Sequence, residues 1–247
     1  AETKFELIRA LPEDGLAVLN LDNKYIQERM WQAKCKVLTC GMENPEADFY
    51  GTDIAFTQQG MEFTVVYHQG RISCRTRLLG RHNVCNMLSA FAVAYYLGMA
   101  PERIAAAFWK LTPVSHRLEL KRGGAVTIID DAFNSNPAGA ESALEVLSAM
   151  PGGQKIIITP GMVELGAAEE EENFAFAQKA AKKCDYIILV GKKHSRPLQN
   201  GLQAAGYPKN QYYVASDLTD ARRHLQEVMR AGDYVLFEND LPDNYNE

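Results

Sequence analysis

Ala125-Val126-Thr127-Ile128-Ile129-Asp130-Asp131-Ala132-Phe133-Asn134-Ser135-Asn136-Pro137 is the stretch on which the fold of this chain turns. It opens as a short apolar, β-branched run, the pattern of a buried strand. It closes on Asn136-Pro137, an N-cap residue followed by proline at the first helical position, where a backbone N–H is dispensable. Between strand and helix lie two carboxylates and two carboxamides. In an open α/β sheet, ligands bind in the crevice at the carboxyl ends of the strands, so Asp130, Asp131, Asn134 and Asn136 are candidate site residues. The plainer reading is that the aspartates end the strand and Asn136 only caps the helix.

On the C-terminal side of that stretch the alternation is regular. Strands are predicted at 118–121, 125–130, 155–159, 186–190, 212–214 and 234–237, with helices at 137–149, 169–183, 197–205 and 217–231. This is a doubly wound, Rossmann-like α/β domain. The helix after Glu169 has a Glu-rich first turn and Lys179, Lys182 and Lys183 in its last, as the helix dipole favours.

The preceding part is organised differently. Phe5, Leu7, Ile8 and Leu11 stand at helical spacing, followed by a strand at 16–20, a helix at 25–34 and a strand at 36–40, a β-α-β order that favours a parallel sheet. Three β-rich runs, 53–57, 61–68 and 71–78, read as an antiparallel meander laid beside that sheet. Gly80-Arg81-His82-Asn83 leads into a helix at 84–97 that is apolar nearly all round and so is expected to be buried. A last helix opens at Pro101 and ends near Leu111. Thr112-Pro113 marks the boundary between two domains, 1–113 and 114–247.

The 247 residues are 47% hydrophobic and 23% charged, the balance of a globular protein with a substantial core. A net charge of −5 and the lack of a basic cluster argue against a nucleic-acid surface. No run approaches the roughly 18 apolar residues of a membrane span, and Ala1-Glu2-Thr3-Lys4 carries no signal-peptide pattern. The five cysteines, Cys35, Cys40, Cys74, Cys85 and Cys184, are scattered and form no Cys-x-x-Cys pair, which suits reduced thiols in a cytoplasmic protein. Neither a Walker A loop nor a Gly-x-Gly-x-x-Gly fingerprint is present.

Four separated motifs coincide: Gly80-Arg81-His82-Asn83-Val84-Cys85-Asn86, Ser115-His116-Arg117-Leu118-Glu119, Asp130 to Pro137, and Gly161-Met162-Val163-Glu164-Leu165-Gly166. In order and spacing the chain resembles the ATP-dependent Mur ligases of peptidoglycan synthesis. Within that family it is most similar to the type that adds D-Ala-D-Ala to UDP-MurNAc-tripeptide. The resemblance implies the latter part of a P-loop-type central ATPase domain followed by a complete Rossmann-like C-terminal domain, with the P-loop upstream of Ala1.

By the same resemblance, Lys4 matches a lysine that becomes a carbamate and helps bind Mg2+, a carboxylate-like ligand suited to a hard cation. Asn83 and Asn86, one helical turn apart, lie near the adenine, where carboxamides both donate and accept. His116 lies near the ribose, at the hinge between domains. Arg117 reaches the ATP phosphates when the C-terminal domain closes, and Asp131 contacts the ribose. Asn134 and Asn136 line the amino-acid side of the cleft. The implied enzyme is a cytoplasmic monomer using ATP and Mg2+, with UDP-MurNAc-peptide and D-Ala-D-Ala as small-molecule partners.

Three departures from the family pattern stand out. Pro160-Gly161-Met162 replaces Gly-Asp-Met, and Asn173 replaces a histidine in the following helix. The terminal strand, which in the family runs into a Lys-Gly-Ser-Arg segment, here reads Phe237-Glu238-Asn239-Asp240-Leu241-Pro242-Asp243-Asn244-Tyr245, so a basic loop has become acidic. A divergent ligase with another amine acceptor is therefore the runner-up. A non-catalytic nucleotide-binding protein of the same fold and a free-standing Rossmann-type binding module are the competing classes.

Overall fold

The computed structural model describes residues 1–122, 124–133 and 135–239. Asn134 and the acidic segment from Asp240 onward lie outside the described residues. The chain divides into two compact units, Ala1–Thr112 and Pro113–Glu247. Among the described residues, no helix is long and apolar enough to cross a membrane.

The first unit opens with α1 (Glu2–Arg9), β1 (Leu16–Asn20) and α2 (Lys24–Gln27), and continues with β2 (Lys36–Gly41), β3 (Phe49–Thr57), β4 (Gly60–Tyr67) and β5 (Gly70–Thr76). It ends with α3 (Arg81–Tyr96) and α4 (Pro101–Phe108). Its five strands form one sheet in the order β1-β2-β3-β4-β5. The meander is thus not laid beside the first sheet but continues it. Parallel pairing of Cys40 with Phe49 and Gly41 with Tyr50 makes the join.

The helix expected at 25–34 is also corrected. α2 stops at Gln27 and a 3-10 turn spans Met30–Gln32. No residue of α2 is buried and Trp31 stands 77% exposed, so tertiary packing gives a longer helix nothing to rest on. In α3 the residues Val84, Leu88, Phe91 and Ala92 are wholly buried, and Phe91 sits in an aromatic cluster with Phe49, Tyr67, Tyr95 and Phe108. Burial does not extend all round, because Val93, Tyr96 and Leu97 are exposed.

The second unit contains β6 (Glu119–Arg122), β7 (Thr127–Asp131), α5 (Pro137–Ala149), β8 (Lys155–Thr159), α6 (Glu169–Lys183) and β9 (Tyr186–Val190). α7 (Arg196–Ala204), β10 (Tyr212–Ala215), α8 (Leu218–Val228) and β11 (Tyr234–Glu238) complete it. The sheet order is β10-β9-β8-β11-β7-β6. All neighbours pair in parallel except β6, which runs antiparallel to β7.

Ile156, Ile158, Ile188 and Val235 pack with Ala221 and Leu225 of α8 on one face. The alternate residues Ile157, Ile187 and Leu236 point to the other face and are as deeply buried. Burial on both faces is why these strands read as unbroken apolar runs. Because β7 connects to β8 across β11, the carboxyl ends of these three strands lie side by side, and there the polar residues gather.

Candidate functional site

Asn136 adopts an extended conformation, and its side-chain oxygen accepts the Gly139 N–H at 3.0 Å, with Pro137 in the first turn of α5. The cap expected from sequence is therefore present. It positions the carboxyl end of β7 against the mouth of the helix.

The turn before β6 is tied to that end of β7 at several points. His116 and Leu118 have φ of 62° and 47°, a left-handed conformation that costs non-glycine residues on the order of 1 kcal/mol each. The cost is offset by what the turn connects. The Leu118 N–H donates to an Asp131 side-chain oxygen at 3.0 Å, the Phe133 N–H donates to the His116 carbonyl at 3.2 Å, and His116 Nδ1 lies 2.9 Å from Asp130 Oδ2. The Arg117 guanidinium sits 4.6 Å over the exposed Phe133 ring, a cation–π contact. His116, Arg117, Asp130 and Asp131 are thus brought together.

The two aspartates have opposite electrostatics. Burial would raise Asp130, but the Lys121 ammonium bonded to it, the Ala132 N–H and nearby His116 hold its carboxyl below the usual range. Asp131 is raised to about 6, mainly by burial and further by the charge of Asp130, with the Leu118 hydrogen bond and Arg117 opposing.

Behind Asp131 lies a residue that sequence reasoning treated only as a departure. Glu238, at the end of β11, is the register partner of Asp131 and is 1% exposed. The hydroxyls of Ser135 and Thr159 donate to its two carboxylate oxygens. Burial nevertheless pushes it up to about 7. Asn239 follows in a left-handed conformation and donates its Nδ2 to the Gly161 carbonyl at 2.7 Å.

The loop after β8 is held from below by Asn173. Its side-chain oxygen accepts the Met162 N–H at 2.8 Å, and its Nδ2 donates to the Met162 and Glu169 carbonyls. At Gly161 (φ 87°) a Cβ would lie 2.5 Å from the Asn173 oxygen, so only glycine fits the clamp. A groove of about 1090 Å3 begins at His116, Asp130 and Asn239 and runs along Val126 and Ile128 toward Leu225. It meets the polar cluster only at that end.

In the first unit, Asn83 and Asn86 adjoin as expected. The Asn83 Nδ2 donates to the Leu79 carbonyl at 2.7 Å, and Asn86 donates to the Asn83 oxygen at 3.4 Å. Lys4 is exposed on α1. Asp22 accepts the backbone N–H groups of Met42, Glu43 and Asn44 and fastens the ends of β1 and β2 together.

Two family models cover these units in order: the Mur ligase middle domain matches residues 1–94, and the Mur ligase, glutamate ligase domain matches residues 116–238. The chain belongs to the Mur ligase family. A UDP-N-acetylmuramoyl-tripeptide–D-alanyl-D-alanine ligase of Bacillus subtilis is 28% identical over 241 residues, covering 96% of this chain and 51% of that protein. The Escherichia coli protein of the same name is 32% identical over 198 residues, covering 78% of this chain and 43% of its own length. The fold matches the MurF ligase of Thermotoga maritima solved in complex with ADP, with a TM-score of 0.79 at 19% identity over 97% of this chain and 53% of that one. The chain therefore spans about half the length of the Mur ligases it matches.

The fit of this Mur ligase chain to a divalent cation can be tested on its own donors. Among the described residues, no three His, Cys, Asp or Glu side chains stand close enough together to hold a metal. Lys4 as an ammonium is a donor only and cannot ligate. These residues do not by themselves make a magnesium cage.

Proposed function

We propose that this chain is the nucleotide-closing half of an ATP-dependent amide ligase that joins D-Ala-D-Ala to UDP-MurNAc-tripeptide. One observation carries the reading furthest: a His116-Arg117 turn, held in strained geometry on Asp130 and Asp131, in a Mur ligase chain whose relatives in two organisms bear that activity in their names.

The chemistry has two steps. A substrate carboxylate oxygen attacks the γ-phosphorus of ATP, the bond to ADP breaks, and an acyl phosphate forms. The acceptor amine then attacks the acyl carbon, inorganic phosphate leaves, and the amine loses a proton as the amide forms.

Each residue has a part suited to its chemistry. Arg117 leaves the Phe133 ring and offers its planar fork to phosphate oxygens, lowering the energy of charge that builds during transfer. Asp131 keeps lone pairs beyond the one given to Leu118 and accepts from ribose hydroxyls. His116, oriented by Asp130, lies beside the ribose. On the first unit, Asn83 and Asn86 face the adenine and Lys4 is the carbamylation site. Asn136 lines the acceptor side.

A second reading, another amine acceptor, is favoured by Glu238: a buried carboxyl stands at the end of β11, where the family pattern leads into a basic segment. Both readings are tested by phosphate release from ATP by the full-length protein, omitting each substrate in turn. Release that requires UDP-MurNAc-tripeptide and D-Ala-D-Ala together supports the first. Release with a different amine supports the second, and no release with any amine refutes both.

A further inference from the structure

Asn20 and Cys40 are register partners at the carboxyl ends of β1 and β2. Cys85 and Ser89 stand one turn apart on α3, so they share the face that meets these strands. Asn20 Nδ2 donates to the Cys85 sulfur at 3.3 Å, and the Cys40 sulfur lies 3.3 Å from the Ser89 hydroxyl. These contacts from neighbouring strands to neighbouring helix positions set the two thiols side by side. Both are free; Cys40 is buried and Cys85 half-buried.

We propose that Cys40 and Cys85 are a redox-reactive dithiol, which a low-molecular-mass disulfide converts to a disulfide linking β2 to α3. The half-buried Cys85 is the entry point. Its proton passes to the Cys40 thiolate as it attacks one sulfur of the small disulfide, whose S–S bond breaks and releases one thiolate. Cys40 then loses its proton and attacks the Cys85 sulfur, expelling the second small thiolate. Two protein thiols and one small disulfide become one protein disulfide and two small thiols, so hydrogens and electrons balance.

The surroundings favour ionisation of the pair at Cys40. The neighbouring Cys85 thiol lowers Cys40 to about 7 against burial, with Ser89 helping and Asp22 opposing. Cys85 is raised in turn by Cys40, by burial and by Asp22, so the charge of the pair rests on Cys40, and Cys85 becomes nucleophilic by handing its proton to the Cys40 thiolate. Cys74, by contrast, is raised to about 12 by burial, and burial likewise raises Cys184. Those two are inert packing residues.

The test is to incubate the folded chain with oxidised glutathione, alkylate the remaining thiols after denaturation, and map peptides by mass. The expected result is loss of two of the five thiols, with the Cys40 and Cys85 peptides joined and lighter by two hydrogens. Cys40→Ser should stop at a glutathione adduct on Cys85. If that variant does not fold, the wild-type map alone decides. Retention of all five thiols, a glutathione adduct on Cys85 or Cys35 that never closes, or joining of any other pair overturns the proposal.

Discussion

The carboxyl of Glu238 should make the second unit less stable as the solution becomes more alkaline, and one substitution should abolish that effect. In the fold this carboxyl holds its proton up to about pH 7, against an ordinary value of 4.5. Its pKa is raised on folding, so its contribution is full below the unfolded value and is lost as pH rises through 7. Between about pH 5 and pH 8 the loss attributable to Glu238 should be roughly 2–3 kcal/mol. Asp131, raised to about 6, acts in the same direction to a smaller extent because it is partly exposed.

Glu238→Gln preserves shape, and its carboxamide can still bond the Ser135 and Thr159 hydroxyls once they reorient. Urea unfolding of the second unit, followed by circular dichroism across this range, gives the difference between variant and wild type; groups common to both cancel. The variant should nearly match the wild type at about pH 5 and exceed it by roughly 2–3 kcal/mol at about pH 8. A difference that stays constant with pH would refute the assigned protonation of Glu238.

Three further outcomes follow from the site. Arg117→Lys loses the planar fork, so KM for ATP should rise roughly tenfold with unchanged circular dichroism; an unaltered KM would remove Arg117 from the phosphates. Asn136→Ala should cost about 1 kcal/mol in urea unfolding through loss of the cap on α5, whereas Asn136→Asp keeps it. If Asn136 also meets the acceptor, Asn136→Asp should still raise KM for the amine, and unchanged kinetics would leave it a cap only. Gly161→Ala forces a Cβ against Asn173 at a left-handed φ, and should lower stability by at least about 1 kcal/mol; equal stability would contradict the clamp.

The second unit was legible because its signals are local. Pro137 after Asn136, the Glu-rich start and Lys-rich end of α6, and the Ile156-Ile157-Ile158 run each decide a conformation within a few residues. The first unit was less so. The join of the meander to the sheet rests on only two parallel residue pairs, a long-range event that no local pattern announces. The segment at 25–34 has helical composition but no buried face, so tertiary packing overrode propensity.

In the site, the residue types of His116, Arg117 and Asp131 were readable, but their connections were not. Which aspartate pairs with His116 depends on the left-handed turn at 116–118. The burial of Glu238 depends on β11 inserting between β7 and β8, far away in sequence. Asn173 read as a lost histidine, yet it clamps the loop after β8 through three hydrogen bonds.

The most direct test of the central claim is the mass of the product formed by the full-length protein from ATP, UDP-MurNAc-tripeptide and a mixture of amines that includes D-Ala-D-Ala. The account predicts one new species heavier by the dipeptide less one water, appearing in step with phosphate. Unchanged sugar nucleotide, or phosphate release with no amide product, would contradict it.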